Sequence, residues 1–197
     1  MMIPIALSLL AYFFGSLSSA IILCRLSGLP DPRTQGSGNP GATNVLRFGG
    51  RRLAAQVLLG DMLKGLIPVL FAAWIDGTTS VLAAVALCAF LGHLYPIFFN
   101  FKGGKGVATS LGVILGLMWP VGLALIATWI TVAVTSRTSS LGALVAAIAA
   151  PFYAWYLSEH NQYIILTAII SILLIWRHRA NIQKLFNGTE RKVGSSS

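Results

Sequence analysis

The sequence predicts an all-α, polytopic membrane protein with seven transmembrane helices, an extracytoplasmic N-terminus and a cytoplasmic C-terminus. Three observations lead there. Hydrophobic residues make up 56% of the 197 residues and charged residues only 10%, against about 25% charged in an ordinary soluble domain. A chain so composed cannot cover a globular surface with polar groups, so lipid must be its solvent. The apolar residues also gather into long stretches, and the basic residues fall in only some of the connections between them. The 14 Lys and Arg against 5 Asp and Glu give a net charge of +9. In a soluble protein that balance would suggest nucleic acid. Between apolar segments it reads instead as membrane topology and anionic substrates.

The apolar stretches run over 3–24, 53–75, 79–99, 107–119, 121–136, 141–157 and 162–176. No basic residue precedes Ile3, whereas Arg25 and Arg33 follow the first stretch, the charge order of a retained span rather than a cleaved leader. The first three stretches approach or exceed the ~20 residues that a crossing helix needs. The later four are shorter, and 107–119 alone has the length of a re-entrant piece. Charge sets the count. Arg25, Arg33, Arg47, Arg51 and Arg52 fall in or beside the first loop, and Lys102 and Lys105 in the third. Arg137 follows the fifth stretch, and Arg177, Arg179, Lys184, Arg191 and Lys192 follow the last. The connections near Asp76, Pro120 and Glu159 hold no Lys or Arg. Cytoplasmic loops carry the positive excess, so an even number of crossings must separate successive basic clusters. Residues 107–136 must therefore cross twice, turning near Pro120. Residues 1–193 read as one transmembrane domain, and 194–197 as a disordered tail or a remnant of expression. Cys24 and Cys88 lie in apolar runs without metal or redox spacing and read as packing residues.

Residues 26–52 form the one long connection, and connections of that length are usually functional or disordered. It contains Gly36, Ser37, Gly38, Asn39, Pro40, Gly41, Ala42, Thr43 and Asn44, followed by Arg47. Glycines alternating with short hydroxyl and amide side chains can turn backbone N–H groups toward one anion. Arg47 adds a planar fork suited to phosphate oxygens. The third loop, Phe101-Lys102-Gly103-Gly104-Lys105-Gly106, leads into an apolar helix. A glycine-rich turn entering a helix N-terminus is a ready phosphate cradle. It is not a Walker A loop, because Gly106 rather than Ser or Thr follows Lys105. Beyond the last span, His178 and Asn181 are three residues apart and share a face if the helix continues. His178 can donate to a phosphate or move a proton near neutral pH. Asp61 and Lys64 interrupt the second span and read first as a buried ion pair, with substrate contact as the alternative. His93, before Tyr95 and Pro96, reads as structural, and His160 as incidental. Sidedness puts the glycine loops and the His178 segment on one membrane face, which predicts a convergent phosphate-binding site.

These residues resemble a known family. Ser37 to Asn44 with Arg47, Phe101 to Gly106, and His178-Arg179-Ala180-Asn181-Ile182 look like the three signature motifs of the bacterial acyl-phosphate:glycerol-3-phosphate acyltransferases. The resemblance runs from the first span to about Glu190, with the motifs in order and at matching spacing. It implies transfer of an acyl group from acyl phosphate to the 1-hydroxyl of glycerol 3-phosphate, giving lysophosphatidic acid and inorganic phosphate. This is the first acylation of phospholipid synthesis, at the cytoplasmic face of a bacterial inner membrane. Carried over by motif, Ser37, Arg47, Lys105, His178 and Asn181 are the catalytic set. Gly38, Asn39, Thr43, Asn44, Gly103, Gly104 and Gly106 are the phosphate-binding set. Asp61, Lys64, His93 and Glu190 are structural or supporting positions. The third motif often has an acidic residue where this chain has Ala180, so nothing catalytic should depend on that position. Neither a metal nor a cofactor is implied. The implied partners are acyl phosphate, glycerol 3-phosphate, membrane lipid and a soluble phosphate acyltransferase that supplies the donor.

The chemistry suits these residues. An acyl phosphate is already activated, so the enzyme need only align two phosphates and one hydroxyl. Ser37 has no base beside it in the sequence and reads as a hydrogen-bond donor rather than a nucleophile. Thioester-using glycerol-phosphate acyltransferases typically carry His-x-x-x-x-Asp. Here Phe98, Ile165 and Gln183 stand five positions after the three histidines. An anion or phosphate-ester transporter is the alternative, but it would place basic residues along a path and polar groups on the extracytoplasmic side. A lipid-binding scaffold would not need these loops.

Overall fold

The computed structural model describes residues 2–192, which are helical and contain no strand; the expected tail at 194–197 lies outside them. By compactness the chain divides into Met1–Leu117 and Met118–Ser197.

The first unit holds α1 (Met2–Gly15), α2 (Ser19–Leu26), α3 (Ala42–Phe48), α4 (Gly50–Ile75), α5 (Thr79–Leu94), a 3₁₀ turn at Ile97–Phe99, and α6 (Val107–Leu117). The expected span at 3–24 is therefore not one helix. It breaks at Ser16–Ser18, and α1 and α2 meet at 43°. Ser16 turns its hydroxyl back to the Tyr12 carbonyl at 2.8 Å, and Ser18 caps α2 from outside. Serine competes with the backbone for hydrogen bonds in this way, which is why a Ser-rich step can end a helix even in an apolar run. The long connection is also shorter than expected, because α3 forms inside it. Ala20 and Cys24 of α2, Val45 of α3, and Leu53 and Val57 of α4 share a buried apolar cluster that fixes α3 against the spans.

Two close helix contacts organise this unit. α1 packs on α5, and α4 on α6. A Cβ on Gly92 of α5 would strike the Tyr12 carbonyl, and one on Gly112 of α6 would strike the Met62 carbonyl. Apolar helices in lipid gain little from hydrophobic burial against each other, so close packing through small residues takes its place. The Tyr12 hydroxyl adds a 2.7 Å bond to the Tyr95 carbonyl just beyond α5.

The second unit holds α7 (Trp119–Ser136), α8 (Ser139–Leu157), α9 (Asn161–Arg177) and α10 (Arg179–Phe186). Pro151 inside α8 has no N–H to donate, leaving the Ala147 carbonyl one turn earlier without its helical partner. The Ser171 hydroxyl of α9 donates to that carbonyl at 2.6 Å, which satisfies it inside an apolar layer.

Among the described residues, four helices are long and apolar enough to cross a membrane, or six if α1 with α2 and α9 with α10 each count as one span. Each expected stretch contains helix, the first in two pieces and the third ending at Leu94 before a 3₁₀ turn. α6, with 11 residues, is only about 16 Å long, about half of a ~30 Å hydrocarbon core.

Candidate functional site

In the first unit the long connection is held from within by Asn44, in the first turn of α3. Its Oδ1 accepts from the Ser37 N–H at 2.9 Å. Its Nδ2 donates to the Pro32 and Gln35 carbonyls, both at 2.9 Å. Gly36 and Gly38 take φ values of 53° and 70°, a region that glycine enters without strain. A Cβ on Gly36 would also collide with the Asn44 oxygen. The result presents Ser37 at the surface. The Asn44 side-chain amide, from the motif assigned to phosphate binding, makes all three of these bonds to the loop backbone. Asn39 folds over Gly41, its Nδ2 2.8 Å from where a Cβ would sit. Thr43 and Arg47 are exposed on α3, and the Arg47 stem flanks Gly36, with Cδ 4.0 Å from the place of its missing Cβ.

An arginine that the motifs do not include ties this loop to the next. Arg33 grips Asp31 with Nη2 at 2.7 Å and Nε at 3.0 Å, and donates through Nη1 to the Phe99 carbonyl at 3.1 Å. The Arg33 hydrogen bonds hold the Asp31 carboxyl below its usual range, and Asp31 holds the guanidinium above its own. The stabilisation is present above the ordinary carboxylate range and is lost as pH falls through the depressed value. The pattern Asp-x-Arg was visible in the sequence, but its partner carbonyl 66 residues away was not.

The Gly103–Gly104 turn lies on the end of α5. A Cβ on Gly103 would enter the His93 carbonyl, and one on Gly104 would enter the His93 ring and sit 3.2 Å from the Pro40 carbonyl. The Gly104 N–H donates to the His93 carbonyl at 3.2 Å. These glycines are therefore required by close approach. Pro40 of the first motif and Gly104 of the second come together, and Lys105 stands half-buried in the turn. Gly106 takes φ 88° and delivers the chain into α6.

Below this turn, Asp61, Lys64, His93 and Thr109 are buried together. Lys64 Nζ lies 2.9 Å from Asp61 Oδ1 and donates to the Leu17 carbonyl at 2.8 Å, at the break between α1 and α2. The ion-pair reading of Asp61 and Lys64 matches this geometry.

In the second unit, His178 is buried at the joint where α9 and α10 meet at 60°. The helix does not continue straight through His178, as a shared face with Asn181 required. His178 caps the end of one helix, and Asn181 belongs to the next. His178 Nδ1 lies 2.8 Å from the Leu174 carbonyl. A carbonyl can only accept, so Nδ1 carries the proton. Asn181 Nδ2 and the Ser140 hydroxyl both donate to Glu190 Oε1 at 2.7 Å, which fixes the segment after α10 against α8. Among the described residues no three His, Cys, Asp or Glu side chains gather as a metal-ligand set.

The family model described as glycerol-3-phosphate acyltransferase matches residues 5–188. A protein of Thioalkalivibrio sulfidiphilus named glycerol-3-phosphate acyltransferase is 55% identical over 100% of this chain and 97% of its own length. One of the same name from Methylococcus capsulatus is 54% identical over 94% of this chain and 93% of its own length. Among solved structures, the glycerol 3-phosphate form of PlsY, an integral membrane glycerol 3-phosphate acyltransferase, superposes with a TM-score of 0.93 at 38% identity. That match covers 97% of this chain and 96% of the other. The lysophosphatidic acid form of PlsY gives a TM-score of 0.91 at 37% identity, covering 97% and 95%.

Replacing Asn44 by Ala should loosen the first loop and leave the spans intact, because three hydrogen bonds to its backbone vanish together. Hydrogen exchange should quicken by roughly tenfold or more at the amides of residues 33–38, the scale of one or two lost buried hydrogen bonds. Unchanged exchange there would show that the clamp is not what orders the loop.

Proposed function

The chain belongs to the glycerol-3-phosphate acyltransferase family, and on that premise we propose that it takes its acyl group from an acyl phosphate. It is an integral membrane acyltransferase, and glycerol 3-phosphate is its acceptor. The observation that carries the donor reading is the pair of glycine-bearing loops joined by Arg33 to Phe99 and by Pro40 to Gly104. Backbone amides, Ser37, Arg47 and Lys105 supply enough donors and positive charge for two phosphates. The 1-hydroxyl attacks the acyl carbonyl, the anhydride C–O bond breaks, and the electron pair leaves on phosphate. The hydroxyl proton is carried away in the net reaction on the released phosphate. Amide and Ser37 donors aimed at the developing oxyanion stabilise the tetrahedral state. Asn44 acts by holding that loop. His178 and Asn181 enter the proposal through their match to the third motif. Because Nδ1 of His178 serves the Leu174 carbonyl, its chemistry runs through Nε2. A soluble phosphate acyltransferase supplies the donor, and the acyl chain lies among the apolar helices. Lysophosphatidate formation should be efficient with palmitoyl phosphate and not with palmitoyl-CoA or palmitoyl carrier protein. Turnover with either thioester, or an acyl group trapped on Ser37 by mass spectrometry, would contradict this reading.

The proposal extends to topology. The chain crosses a bacterial inner membrane seven times, with its N-terminus outside and the phosphate loops on the cytoplasmic face. The basic clusters require 107–136 to cross twice, so α6 is a short crossing. The Gly103–Gly104 turn completes its depth, and irregular backbone is tolerated at such depth only when protein covers it. The packing of Gly103 and Gly104 on the end of α5 supports that cover. In a variant lacking Cys24 and Cys88, a membrane-impermeant maleimide should label cysteines placed at Thr78 and Ser158 in intact cells. It should reach Gln35 and Lys102 only after permeabilisation. Labelling of Gln35 in intact cells would reverse the sidedness.

A further inference from the structure

The cluster beneath the Gly103–Gly104 turn comes from three helices: Asp61 and Lys64 from α4, His93 from α5 and Thr109 from α6. The Thr109 hydroxyl lies 2.8 Å from the Asp61 carbonyl oxygen and 3.1 Å from His93 Nδ1. A hydroxyl has one proton, and a carbonyl can only accept it. That proton therefore goes to Asp61, and Thr109 Oγ accepts from Nδ1–H of His93. The side-chain Oδ1 of Asp61 lies 3.7 Å from the same Nδ1. It faces Lys64 as an ion pair, yet has no aligned hydrogen-bond donor among the described residues. An anionic oxygen so placed favours a proton on that nitrogen. With Nδ1 committed to the cluster, the ring presents its Nε2 edge to Gly104, where a Cβ would collide with it.

We propose that His93 is a positioning residue for the Gly103–Gly104 turn, with its ring orientation and tautomer set by Thr109 and Asp61. The ring edge fixes how deep Gly104 can sit, and the His93 carbonyl receives the Gly104 N–H. Together they aim the amides and Lys105 of the turn. An apolar residue at 93 could fill the volume, but nothing would set its orientation; buried polar groups are kept in a membrane at a cost that function must justify. Thr109 is fully buried, and His93 is 6% exposed, so both act through the loop rather than by touching bulk solvent. The inference rests on reading that turn as the phosphate cradle.

The test uses purified full-length enzyme, with KM for both substrates, kcat, and competitive inhibition by inorganic phosphate as readouts. Thr109→Val should raise KM for a phosphate substrate and weaken phosphate inhibition by about tenfold, the scale of one buried hydrogen bond. It should change kcat much less, and Thr109→Ser should restore binding. In parallel, Gly104→Ala should be more damaging in the native background than in His93→Ala, because removing the ring makes room for the new methyl. Losses that multiply independently, or unchanged KM and phosphate inhibition in Thr109→Val, would overturn the proposal. If Thr109→Val is not recovered folded, the Gly104 and His93 cycle decides alone. Lys105→Ala separates the two levels. If it leaves phosphate binding intact, the cradle reading itself fails. If it abolishes binding while Thr109→Val and the cycle show nothing, only the role of His93 fails.

Discussion

An ammonium group inside an apolar helix must find oxygen partners in the protein, and the first unit is arranged around the way Lys64 does so. It pairs with Asp61 at 2.9 Å and donates to the Leu17 carbonyl at 2.8 Å. Both contacts are needed for different reasons. Breaking a span at Ser16–Ser18 exposes backbone oxygens where lipid offers no donor, and the lysine answers one of them. The lysine's own charge is offset by Asp61. One side chain thus ties the broken first span to α4, and Asp61 extends the tie to α5 and α6 through His93 and Thr109.

That arrangement needs helices close enough for short side chains to meet. Gly92 and Gly112 let backbones approach so nearly that a methyl group at either would strike a carbonyl across the contact. The same logic recurs at the end of α5, where Gly103 and Gly104 settle against His93. Close packing in the span and the shape of the loop are therefore one problem, solved by glycine at both levels. Arg33 and Asn44 complete it from the other side by ordering the first loop and joining it to the Phe99 turn.

Much of this was legible in the chain before its geometry. The apolar stretches marked every long helix, because the bilayer imposes a strong length and composition rule. The glycine loop at 103–106 was readable, with its entry into a helix, because it is a short polar break between two apolar runs. The break at Ser16–Ser18 was missed: hydropathy averages over three residues, whereas helix continuity depends on where each serine sends its proton. The bend at His178 was missed for a similar reason, since spacing arguments presume the helix they use. Asn44 could be recognised as polar and loop-bound, but not as the clamp, because its partners are backbone groups that any sequence would offer. Thr109 left no signal at all, being one threonine in an apolar helix until α4 and α5 stand beside it.

The claim on which the rest depends is that the Asp61–Lys64 pair organises the loops as well as stabilising the spans. It is tested most directly by comparing Lys64→Met with the double variant Lys64→Met/Asp61→Leu, reading thermal unfolding and acyl transfer on the same preparations. Stranding a buried charge typically costs about 3–5 kcal/mol, whereas replacing a whole pair by apolar groups is often nearly neutral. The double variant should therefore recover much of the unfolding temperature lost in Lys64→Met, while its acyl transfer stays at least roughly tenfold below the native enzyme, the scale of one misplaced hydrogen-bond network. A double variant that regains native activity along with its stability would contradict the account.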